Sequence, residues 1–252
     1  MTDIRLLDYK SSEELNKHKK NFYLSNIINR TDIIDTTKTI NMNIRCFSGF
    51  EGHYYYNGRD PLVNTAKELL NNINLKPEES YLFKYYEDFK PNTYGELYCL
   101  SQENKLHKLS STTFFHPWIH EYPTKEYRPG LFGPKHITNV QHRMIRLTNL
   151  INNIKNYGYK PSLDDIVEGY ILYKTKDDYR FLITSGHHRV AVLTAIHMNN
   201  DNKDYDNIRV KFDTTRVKVK IVKIDDINNW PGVKSGYLSN KDALEMFNKY
   251  FS

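Results

Sequence analysis

The chain has 252 residues, 39% of them hydrophobic, and a mean hydropathy of −0.70; its surface is therefore wet, and its core leans on 20 Tyr and 12 Phe, whose rings bury more apolar area than the aliphatic count suggests. No run approaches the roughly 20 apolar residues that span a bilayer, the first residues lack a signal-peptide core, and Cys46 and Cys99 form no Cys-x-x-Cys pair, so the expectation is a cytoplasmic protein with no membrane span, disulfide framework or thiolate zinc site. The formal charge of +6 divides as 17 Lys+Arg against 17 Asp+Glu in residues 1–130 and 19 against 13 in residues 131–252, which puts any anion site in the second half.

From the N-terminus, Ser11 or Ser12 followed by carboxylates reads as a capping box opening a helix over 11–30, with Leu15, Phe22 and Ile27 at loosely helical spacing. A second helix is expected over 62–74, where Leu62, Ala66, Leu69, Leu70 and Ile73 share a face. Residues 81–100 are aromatic enough for either a strand or a helix. Between 110 and 135, Pro117, Pro123, Pro129, Gly130, Gly133 and Pro134 forbid a long regular element. They mark a boundary between an N-terminal region, 1–132, and a C-terminal domain, 133–252.

Beyond that boundary Leu147, Leu150, Ile151 and Ile154 predict an amphipathic helix over 139–156, closed by Gly158. Residues 166–174 and 179–186 read as strands joined by a turn at 175–178, and a helix follows over 189–198. A polar loop is expected over 199–207 and an alternating strand over 216–224. The last predicted element is a helix over 239–251, capped by Ser239 or Asn240, with Ala243, Met246, Phe247 and Phe251 inward.

The chemistry concentrates in "FLITSGHHRVAVLTAI", residues 181–196. A strand ending in Gly186 and delivering His187, His188 and Arg189 to the start of a helix assembles an anion site. Glycine permits close backbone approach, the helix N-terminus offers unpaired N–H groups and a positive dipole end, and arginine adds a planar fork of donors. Phosphate is the guest that suits these donors; an ordinary capped turn is the plainer reading of the same residues. Arg216, Lys218 and Lys220 fall on one side of the strand over 216–224 and read as a solvated face or as a basic wall beside a nucleotide.

This stretch, with the helix "RMIRLTNLINNIKNYGY" and the strand pair before it, resembles the ParB/sulfiredoxin-like fold over residues 133–225, and its Gly-His-His-Arg spelling is closest to the free serine kinases of that group. The tail "WPGVKSGYLSNKDALEMFNKYF" and "FGPKHITN" also look like ParB-like proteins that accompany surface-glycan biosynthesis genes. The resemblance implies an α+β fold, with a ParB/sulfiredoxin-like mixed-sheet domain in the C-terminal half and an N-terminal α/β extension. It implies nucleotide contact from Ser185, Gly186, His187, His188 and Arg189. It also implies that Gln141, His142, Arg143 and Arg146, at the start of the preceding helix, face the same nucleotide.

Departures from the family's pattern narrow the chemistry. Sulfiredoxins place a nucleophilic Cys directly after the glycine, where this chain has His187. The serine kinases place an acidic residue before the glycine, where this chain has Ser185, and "KHITNVQHR" carries no counterpart to their catalytic Glu. A kinase still needs a carboxylate to take the acceptor's proton, so Glu168, Asp164, Asp165 and Glu121 are the candidates; Asp164 and Asp165 read rather as capping or solvated residues at a strand approach, and Glu168, at a strand entrance, is better placed. Trp118 and His120 in "FHPWIHEYP" are expected to line an acceptor pocket, with Tyr122 beside them, and this ranks ahead of a metal site formed by His116, His120 and Glu121.

The expected function is a nucleotide-dependent phosphotransferase acting on a small hydroxyl compound or sugar, with ATP or ADP (CTP as the alternative) and Mg²⁺. The rivals are a nucleotide-gated ParB-like binding module and an inactive regulatory protein of the same fold. Only one convincing helix follows residue 225, which leaves little room for a helix-turn-helix reader and disfavours specific nucleic-acid binding.

Overall fold

The computed structural model describes residues 39–49, 55–110, 113–124, 136–159, 166–175, 177–200, 207–212 and 221–251. The expected helix over 11–30, residues 216–220 of the expected strand, and Asp164 and Asp165 lie outside them. Among the described residues the protein is a mixed α+β structure built on one six-stranded sheet.

The strands are β1 (Thr39–Asn43), β2 (Phe47–Ser48), β3 (Val167–Thr175), β4 (Asp178–Ser185), β5 (Asn207–Phe212) and β6 (Ile221–Lys223). Their order is β1-β5-β3-β4-β2. The β3–β4 hairpin at its centre is antiparallel. The other edge of β3 is shared, with β5 pairing along Val167–Gly169 and β6 along Ile171–Tyr173, both parallel. β2 runs parallel to β4, with Phe47 opposite Phe181 and their rings edge-on at 5.4 Å. The N-terminal region therefore adds strands to the same sheet as the C-terminal half.

Alternation along β3 and β4 sends side chains to two cores, one on each face. On the first face Val167, Ile171, Phe181 and Ile183 are fully buried beneath a helical layer. That layer comprises α1 (Pro61–Asn71), α2 (Tyr81–Asp88), α4 (Ile137–Tyr157) and α5 (His187–Asn200); the short α3 (Tyr94–Leu97) belongs to the other face. Helix α1 starts where the Asp60 carboxylate accepts the Val63 N–H at 2.9 Å and Pro61 takes the first turn. Helix α4 buries Val140, Met144, Leu147, Ile151 and Ile154 at alternating steps of three and four residues, and Gly158 closes it at φ 72°.

On the second face Tyr170, Leu172 and Leu182 meet an aromatic layer assembled from both ends of the chain. Residues 94–118 contribute Tyr94, Tyr98, Phe115 and Trp118. The C-terminal segment contributes Trp230, Met246, Phe247 and Tyr250, through α6 (Pro231–Lys234) and α7 (Asn240–Lys249) and the turn ahead of them. Residues from both sides of position 132 thus fill each core. Of the two caps expected for helix α7, Ser239 is the one used, in a capping box: its hydroxyl accepts the Asp242 N–H at 3.1 Å, and the Asp242 carboxylate turns back to the Ser239 N–H. Ala243, Met246 and Phe247 are buried as expected.

Candidate phosphate-binding site

Strand β4 ends at Ser185, and Gly186 turns the chain into α5 with φ 98°. Only glycine adopts that angle without strain. A side chain here would also strike β3, because a Cβ on Gly186 would lie 3.0 Å from Cγ2 of Val167 and 3.3 Å from its Cα. The turn is thereby pressed against the sheet, and the Gly186 carbonyl accepts the Val190 N–H at 3.1 Å to begin the helix.

His187, His188 and Arg189 occupy the first turn of α5, all half-buried, and no acidic residue shares that turn. The next residues, Val190 to Leu193, are fully buried and hold this end of the helix on the sheet. The backbone N–H groups of this first turn, its positive dipole end and Arg189 thus fall within one turn of helix.

Glu168 stands in register with Ser185 across the β3–β4 ladder, where a register shift follows at Gly169, and it is in register with Lys211 of β5 on its other side. It is half-buried, and of the carboxylate candidates it is the one whose strand position adjoins the loop. Of the others, Asp164 and Asp165 lie outside the described residues. Glu121 is exposed in the segment that packs on the second face, and its carbonyl accepts the Ser235 hydroxyl at 2.8 Å.

Tyr55 is a member of the site that the sequence did not reveal. Its hydroxyl lies 3.0 Å from Nδ1 of His187, and its ring is 1% exposed. The topology explains the meeting: β2 is parallel to β4, so the chain leaves both strands at one edge of the sheet, the edge at which open α/β sheets hold ligands. Nothing in the local pattern "YYYNG" separates Tyr55 from its neighbours, since its role depends on a contact with a residue far along the chain.

The polar residues of α4 divide. Arg143 places its guanidinium over the ring of Tyr86 in α2, 5.8 Å from the centroid. His142 and Arg146 are exposed, on the side of the helix opposite its buried row.

In place of an acceptor-facing platform, Trp118 is a core residue at 1% exposure. Its indole N–H donates to the Tyr170 hydroxyl at 3.3 Å, and its ring stands edge-on to Trp230, Phe247 and Tyr250. His120 accepts the His116 backbone N–H at Nδ1, 3.2 Å away. His116 is itself fully buried, with Nε2 3.0 Å from the Tyr250 hydroxyl. An interior stretch rich in aromatic rings draws Trp118 into the core because an indole in an apolar layer needs only one polar partner, and Tyr170 provides it.

No group of three or more His, Cys, Asp or Glu side chains is arranged to hold a metal ion among the described residues, and no helix there is long and apolar enough to cross a membrane. Comparison of the chain with protein-family models, with curated proteins and with solved structures finds no match.

Proposed function

We propose that this protein is a nucleotide-dependent phosphotransferase of the ParB/sulfiredoxin-like kind, a kinase of a small hydroxyl compound or sugar, with ATP or ADP as the donor. The observation that carries the reading is the glycine turn itself: Gly186, at φ 98° and pressed against Val167 of β3, delivers His187, His188 and Arg189 to the first turn of α5, and the register of Glu168 with Ser185 puts the Glu168 backbone next to this turn.

In this reading the N–H groups of the first turn of α5 and the Arg189 fork hold the phosphate oxygens and neutralise their charge. Glu168 accepts the proton of the acceptor hydroxyl as its oxygen bonds to the terminal phosphorus and the bond to the nucleotide's bridging oxygen breaks. Mg²⁺ suits the oxygen donors here, the Ser185 hydroxyl and the phosphates themselves, and would supply further charge neutralisation while arriving with the nucleotide.

The test is to incubate the protein with ATP, ADP or CTP and a panel of hydroxyl compounds and to follow the terminal phosphate. Acceptor-dependent transfer is expected. The Arg189→Ala variant should bind nucleotide about 100-fold more weakly, the scale of losing a charge-assisted pair. Glu168→Gln should keep nucleotide affinity while turnover falls by about 10²- to 10⁴-fold. Unchanged affinity in Arg189→Ala overturns the site. Tight nucleotide binding without transfer to any acceptor replaces the kinase with a nucleotide-gated binding module.

A further inference from the structure

Tyr55 and His187 lie 132 residues apart, yet the phenol oxygen is 3.0 Å from Nδ1. We infer that Tyr55 is a positioning residue: its O–H donates to Nδ1 and holds His187 in the Nε2–H tautomer, so that a neutral ring presents a hydrogen-bond donor to a phosphate oxygen. This inference rests on the reading of the Gly186 turn as a phosphate cradle.

The argument runs through the proton count. A phenol donates or accepts, so the distance alone fits either tautomer. The ring sits on the first residue of α5, at the positive end of the helix dipole and two residues from Arg189. A neutral imidazole carries one proton for its two nitrogens. When Nδ1 accepts from Tyr55, that proton resides on Nε2.

The converse arrangement, Nδ1–H donating to the phenol oxygen, leaves Nε2 a bare acceptor. Ionised phosphate oxygens accept and do not donate, so that tautomer sets two lone pairs against each other. A hydrogen bond to one ring nitrogen fixing what the other can do is the usual way a second residue tunes a histidine. Tyr55 suits the task because it is itself 1% exposed and packed within the first core, so its hydroxyl is held in place by the fold.

The test uses the full chain labelled with ¹⁵N-histidine and long-range ¹H–¹⁵N correlation near neutral pH, with His187 assigned by its loss in His187→Gln. The unmodified protein should show the Nε2–H pattern, a measurement that needs no variant. Tyr55→Phe should shift the pattern toward a mixture of tautomers and weaken ATP and pyrophosphate binding by about tenfold, the scale of one hydrogen bond. An Nδ1–H pattern in the unmodified protein, or an unchanged pattern in Tyr55→Phe, overturns the assignment. If the tautomer behaves as expected but neither ligand binds, the role of Tyr55 in orienting the ring stands and the phosphate reading falls.

Discussion

The two faces of the sheet are covered by different materials. Among the described residues, one carries four helices whose buried residues are mainly aliphatic, set in periodic rows on α1 and α4 and in an unbroken run from Val190 to Ile196 on α5. The other carries short helices, turns and isolated bridges from residues 89–124 and 221–251, and its core is dominated by Trp, Tyr and Phe. On the aliphatic face, shape and periodicity suffice to seat the helices. The aromatic face also needs polar handles to be met: Trp118 by Tyr170, Trp230 by the Lys223 carbonyl at 3.2 Å, and the Tyr250 hydroxyl by Tyr98 at 2.9 Å and by His116. A layer without long helices is fixed by these directed contacts as much as by area.

The sharpest test of that contrast is Trp118→Ala, which should cost about 3–5 kcal/mol in urea unfolding by removing a buried ring at the centre of the aromatic layer. A cost below about 1 kcal/mol would mean that this layer is not a true core. Gly186→Ala probes the junction between sheet and helical layer. Its φ of 98° and the 3.0 Å approach to Val167 should together cost about 1–3 kcal/mol and lower nucleotide affinity; an alanine variant as stable as the parent would contradict the described turn.

The smallest effect belongs to Glu245 of α7. Burial pushes its pKa upward, but the Asn104 amide, the Ser101 N–H and hydroxyl, and Lys249 outweigh burial and bring it below the ordinary glutamate value. The folded state thus prefers the carboxylate. The resulting stability is present above the unfolded-state pKa and is lost as pH falls through the lowered folded value. Glu245→Gln should therefore be modestly less stable than the parent near neutral pH, and the gap should close on acidification. A gap that widens in acid would reverse the sign of this contribution.

Legibility in the sequence follows the same division. Helix α4 and the β3–β4 hairpin were readable almost to the residue, because their patterns are long and their turns are marked by Gly158 and by Thr175–Asp178. Helix α1 was readable except at its end: Ile73 lies past the last turn and is 38% exposed. Strand β5 lay partly inside the expected polar loop, since "NIRVKF" is short and its partners, β1 and β3, are far along the chain. Residues 81–100 left two alternatives open, and they fold as α2 and α3 with an irregular link, a choice settled by packing.

At the site, Gly186 and its neighbours were legible because the strand, the glycine and the helix are consecutive. The position of Glu168 opposite Ser185 follows from the register of the hairpin. Tyr55 was not legible, and neither was the burial of Trp118, because each depends on a contact between distant segments.

The hydroxyl of Ser48 at the end of β2 donates to the backbone carbonyl of Tyr250 at 3.2 Å, across 202 residues. With Tyr250 also holding Tyr98 and His116, closing the aromatic layer has to wait for the final turn of α7 to leave the ribosome. During synthesis, then, the second face of the sheet lacks part of its apolar cover until the C-terminal segment has emerged, and such a surface is the kind on which a chaperone acts.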